Sequence, residues 1–124
     1  MTSQGRLELS KARLWRSRRF DDMKIINELI ERIEDELDGA EEYAEDALML
    51  RVEHPEIAQL YHDIALQELR HIELLHGEAV KMIELHRRTK GDPPAAMLAV
   101  YDYVHEKMIH RETEIRSMLD RFKR

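Results

Sequence analysis

From residue 22 onward, apolar residues recur at alternating three- and four-residue intervals, and the pattern is broken at only two places. That period marks an α-helix with one core-facing stripe. The first break is Val52-Glu53-His54 followed by Pro55, a residue that opens a helix without harm because its missing N–H has no partner there anyway. The second is Gly91-Asp92-Pro93-Pro94, which no helix continues through. The spacing therefore predicts helices over about Asp22–Arg51 (N-cap Asp21 or Asp22), Pro55 to about Arg88, and about Pro94–Phe122. Short connections force antiparallel neighbours, so the expected class is all-α, an antiparallel bundle of three long helices. No strand pattern and no repeat of fixed period competes with it.

The expected inward residues of the first helix include Ile26, Leu29, Ile30, Ile33, Leu37, Ala40, Tyr43, Ala44, Ala47 and Leu48. On the second they are Ile57, Tyr61, Ile64, Leu75 and Met82. On the third they are Met97, Leu98, Tyr101, Val104, Met108, Ile115, Met118, Leu119 and Phe122. Rods of about 42–50 Å with only two neighbours each leave apolar surface uncovered. Homodimerisation through a two-fold interface is the expected completion. Residues 1–22 differ: Arg6, Lys11, Arg13, Arg16, Arg18 and Arg19 face a single acid, Glu8. They read as a basic N-terminal arm, either mobile or docking on a partner shell or anionic surface, ahead of a helical domain at 23–124.

A net charge of −6 argues against a general nucleic-acid binder, which needs basic surface to neutralise phosphates. No apolar run approaches the roughly 18 residues of a membrane span, and a soluble, cytoplasmic protein is expected. The absence of cysteine removes disulfides, thiolate zinc sites and cysteine nucleophiles together.

The chemistry concentrates in Glu68-Leu69-Arg70-His71. A carboxylate and an imidazole three residues apart share one helix face, where a bundle would place leucine. Burying an ionised carboxylate is costly unless it is paired or binds a metal. Glu36 on the first helix and Glu112 on the third lie at the same level, counted from the two turns, within about one helical turn. Four candidate ligands, Glu36, Glu68, His71 and Glu112, are thus expected in one layer. Carboxylate oxygens with one imidazole suit iron or manganese, whereas structural zinc favours Cys and His sets. Tyr43 lies two turns beyond Glu36 as a hydrogen-bond partner, a redox neighbour or an ordinary core tyrosine. His105 is a weaker ligand candidate. Glu73-Leu74-Leu75-His76 repeats the motif off the stripe and reads as a solvated face, and His54, His62, His86 and His110 read as surface residues. Gly39 inside a helical pattern marks either a close helix approach or room beside a site.

The segment Glu36-Leu37-Asp38-Gly39-Ala40-Glu41-Glu42-Tyr43 resembles the first-helix ligand segment of the ferritin-like superfamily, in particular rubrerythrin-type and encapsulated-ferritin-type proteins. His54-Pro55-Glu56-Ile57-Ala58 and Ile64 to Leu75, with Glu68 and His71, resemble its second helix. The resemblance spans roughly residues 25–85. It implies ligand roles for Glu36, Glu68 and His71 at a di-iron centre, with ferrous iron oxidised by O₂ or peroxide. Full-length members carry four helices and a second Glu-x-x-His on the last one; the third helix here has no such motif on its inner face. Encapsulated ferritins look similar in that respect and assemble the centre across a dimer. They also imply a protein shell as partner, although no obvious C-terminal targeting tail is present. The competing expectations are a non-enzymatic helical assembly or adaptor, whose buried Glu and His pair with arginine (Arg32, Arg70 or Arg111) or with each other, and a protein in which a cation only fixes the dimer.

Overall fold

The chain enters its first helix at Asp21, whose side chain accepts a hydrogen bond from the Lys24 backbone N–H at 2.9 Å. That bond satisfies one of the donors every helix start leaves unpaired. A computed structural model describes residues 21–124; of the basic arm expected over 1–22, residues 1–20 lie outside the described residues and Asp21 and Asp22 open the first helix. Three helices follow: α1 (Asp22–Leu50), α2 (Pro55–Lys90) and α3 (Ala95–Phe122). No strand occurs among the described residues, and no helix of theirs is long and apolar enough to cross a membrane. The ends agree with the sequence expectation within two residues. Gly91 closes α2 at a φ of 89°, in the left-handed region that side chains avoid.

Pairings along the rods give the topology. Asp22 at the start of α1 meets His86 and Lys90 at the end of α2, at 3.1 and 3.3 Å. The His86 hydrogen bond in particular holds the Asp22 carboxyl below its ordinary range. At the other end the Tyr43 and Tyr61 rings meet edge to face at 5.2 Å. The two helices are therefore antiparallel. Helix α3 returns alongside them: its Phe122 stacks on His62 at 4.5 Å, and Arg116 pairs with Glu73 of α2. Arg111 of α3 bridges Asp38 and Glu41 of α1 at 2.8 and 2.9 Å. The described residues form a three-helix bundle.

The core stripe of α1 runs through Ile26, Ile30, Ile33, Leu37, Ala40, Ala44 and Ala47, as the spacing predicts. On α3, Val104, Met108, Ile115 and Leu119 are fully inward, with Met97, Leu98, Tyr101, Met118 and Phe122 half-buried around them. On α2 the phase differs from the expectation by one residue. Its buried face is Ala58, His62, Ala65, Leu69, Ile72, Ala79 and Ile83, while Ile57 remains 45% exposed and Tyr61, Ile64, Leu75 and Met82 half-buried. The reason is size. Ala65 packs in one cluster with Ala40 and Ala44, and small residues let two helix backbones approach closely. The larger side chains of the neighbouring stripe are turned outward.

That outward stripe is substantial. Ile57, Leu60, Leu74 and Leu85 are all exposed. Helical geometry places them on one face of α2 with Ile64 and His71. Asp38 and Glu41 receive α3 on one flank of α1; Glu36, Gly39 and Tyr43 lie on its other flank, toward this stripe.

Candidate metal centre

The one-residue phase shift changes what Glu68 and His71 are for. Leu69 and Ile72 are the core residues, so Glu68 and His71 sit at the rim of the α1–α2 seam rather than inside the bundle. Glu36 approaches from α1 at the same height. A ligand atom from each of Glu36, Glu68 and His71 lies within 4.8 Å of the other two. Glu36 Oε2 is 3.5 Å from His71 Nδ1. That oxygen is shielded from solvent and has no hydrogen-bond partner, a costly state for a carboxylate.

The electrostatics agree with the geometry. Burial, the Glu36 carboxyl within hydrogen-bonding reach and its charge push the Glu68 carboxyl up to about 7, while His71 pulls the other way. A divalent cation held between two such carboxylates would supply the missing counter-charge. Of the pairings expected in the adaptor alternative, Glu36 and His71 do lie against each other at 3.5 Å, whereas Arg32 and Arg111 are engaged elsewhere. Arg32 binds Glu28, and Arg111 binds Asp38 and Glu41. An open groove of about 340 Å³, lined by Arg32, Asp35, Glu36, His71, Leu74 and Leu75, borders the cluster. The His71 side chain is 53% exposed into it. Asp35 escaped the sequence reading because it lies off the apolar stripes, and Arg32 was named there only as a pairing partner, not as part of the groove's lining.

Glu112 does not join the cluster. Its rotation about α3 turns it to Glu73 and Arg116 instead. It is half-buried in the α2–α3 seam, and burial raises its pKa, with Arg116 opposing and Glu73 reinforcing that shift. His105, the weaker ligand candidate, is likewise elsewhere: its ring stacks on His76 at 4.8 Å and on Tyr101 at 5.8 Å. Tyr101 O–H lies 3.3 Å from His76 Nε2. The Glu73–His76 repeat is thus no solvated face throughout, since burial and His105 together lower the His76 pKa. Two other histidines were misread as surface. His62 is 3% exposed because Phe122 covers its ring, and His86 is largely enclosed by its bond to Asp22. His54 and His110 are exposed as expected.

Tyr43 and Tyr61 stand on the same flank two turns from Glu36 and Glu68, half-buried against the core. Among the described residues, the Glu36, Glu68 and His71 group is the one such cluster of three metal-capable side chains. Comparison of the chain with models of known families, with curated proteins and with solved structures returns no match.

Proposed function

We propose that this protein is a ferritin-like di-iron protein that oxidises Fe(II) with O₂ or peroxide, at a site completed when two copies meet. The observation that carries the reading is the convergence of Glu36, Glu68 and His71 around an orphaned buried carboxylate oxygen. Two carboxylates and one imidazole form the donor set expected for iron or manganese. Three ligands at a surface groove are half of a di-iron set. A two-fold axis through the groove supplies the other half and covers the exposed stripe of Ile57, Leu60 and Leu74 in the same act.

In this reading Fe(II) is the substrate. Each of two ferrous ions gives up one electron. O₂ takes the pair with two protons and leaves as hydrogen peroxide, or peroxide takes them with two protons to give two waters. Carboxylate oxygens favour the ferric product because the higher charge draws hard anionic ligands more strongly. Anaerobic Fe(II) titration followed by air tests the proposal: saturation is expected at about one iron per chain, with a ferric absorbance rise on aeration. Absence of saturable binding leaves the helical-adaptor reading in its place.

The shared site makes a separate prediction. Leu74 is 64% exposed beside the groove, and Leu74→Lys would bury a charge between two copies. Dimer dissociation is expected to strengthen by about 2 kcal/mol, roughly 30-fold, together with slower iron oxidation although all three ligands remain. Sedimentation equilibrium reads the first effect; a wild-type chain that is monomeric at all concentrations rules out the shared site.

A further inference from the structure

Gly39 lies one turn beyond Glu36 in the middle of α1, where glycine is less favourable than alanine. Its backbone does not demand glycine, since only Gly91 among the described glycines has a positive φ. Space does. A Cβ at position 39 would stand 3.2 Å from Glu68 Oε2 and 3.5 Å from Glu68 Cδ. The Glu68 carboxylate occupies the notch that the absent side chain leaves on α1. Gly77 in α2 offers a contrast, because a Cβ there meets nothing within 4 Å.

We infer that Gly39 is a positioning residue for the metal ligand: it seats the Glu68 carboxylate against α1, where Glu36 and His71 converge on it. The inference rests on the metal reading above and goes further by naming what fixes that ligand's place. A methyl group at position 39 conflicts with the far end of a flexible side chain, not with backbone. The fold absorbs the change, and the carboxylate moves. Stability and metal affinity are therefore set against each other at one position.

The test uses Co(II) alone as probe, titrated into the full chain and followed by its visible absorption, with melting curves of metal-free protein alongside. Gly39→Ala is expected to raise the melting temperature by about 3–5 °C and to weaken Co(II) binding about 10–100-fold with an altered spectrum. Gly77→Ala is expected to raise the melting temperature similarly and leave affinity and spectrum unchanged. In a Glu68→Asp background the shorter acid no longer reaches the notch, so adding Gly39→Ala is expected to cost less than about 3-fold more. A Gly39→Ala protein that binds Co(II) as wild type does, with the same spectrum, overturns the positioning role and leaves the metal reading standing. A wild-type chain that takes up no Co(II) overturns both.

Discussion

Glu68→Gln is expected to abolish saturable iron oxidation while making the metal-free protein more resistant to heat above neutral pH. The first effect follows from the donor set. Glutamine keeps the shape but loses the charge that would bind a hard cation, and with it the pairing of Glu36, Glu68 and His71 around the orphaned Glu36 oxygen. A fall of at least about 100-fold in affinity is expected from losing an anionic ligand. The second effect follows from the proton. Burial and Glu36 hold the Glu68 carboxyl at about 7 against an ordinary 4.5. The folded chain therefore binds more protons than the unfolded one between those values. The favourable contribution is fully present at the acid side and is lost as pH rises through about 7. Glutamine removes that loss, so the variant is expected to melt above wild type near pH 8 and to match it below about pH 4. Metal uptake runs the other way, since binding expels the proton: wild-type affinity is expected to climb as pH rises through about 7. Isothermal titration in two buffers of different ionisation enthalpy counts the proton released. A Glu68→Gln protein that still oxidises iron at the wild-type rate sinks the assignment.

One residue along, the expected outcome inverts. Leu69 is 1% exposed in the cluster that joins Leu37, Ile72 and Ile115. Leu69→Ala is expected to cost about 3 kcal/mol from lost burial and the cavity left behind, lowering the melting temperature by about 10–15 °C. Leu66, one turn earlier, is 41% exposed, and Leu66→Ala is expected to change stability by no more than about 0.5 kcal/mol. Denaturant melts of the two variants thus measure the rotation of α2 about its own axis. Equal losses would mean that α2 presents a different face to the core.

That rotation is where sequence reasoning fell short, and the cause is physical. The helices and their breaks were legible because period, Pro55 and the Gly91–Pro94 segment all speak for the same boundaries. The stripe of α1 was legible because one phase carries nearly all its apolar residues. Helix α2 has two adjacent apolar stripes, and the one with larger side chains looked like the core. Close packing selected the other, whose Ala58, Ala65 and Ala79 carry little hydrophobic signal individually. The trio of Glu36, Glu68 and His71 survived the error, because counting from a turn fixes height, and all three flank the same seam. Glu112 did not survive it: height alone says nothing about which way a side chain points around α3. His62 was missed because a polar residue was assumed to seek water, whereas Phe122 supplies it with an aromatic cover.

All three metal-capable side chains belong to a single helical hairpin, α1 and α2 joined across residues 51–54. Partners so near in sequence meet with little loop-closure entropy, and contacts of this kind form within microseconds to milliseconds. Closure of this hairpin alone would suffice to bring the three side chains together, with no residue contributed by α3. An ion captured at that moment would clamp the nascent pair and favour every later folding step by mass action. If the site takes iron as proposed, iron supply and chain maturation would be linked through the order in which the helices come together.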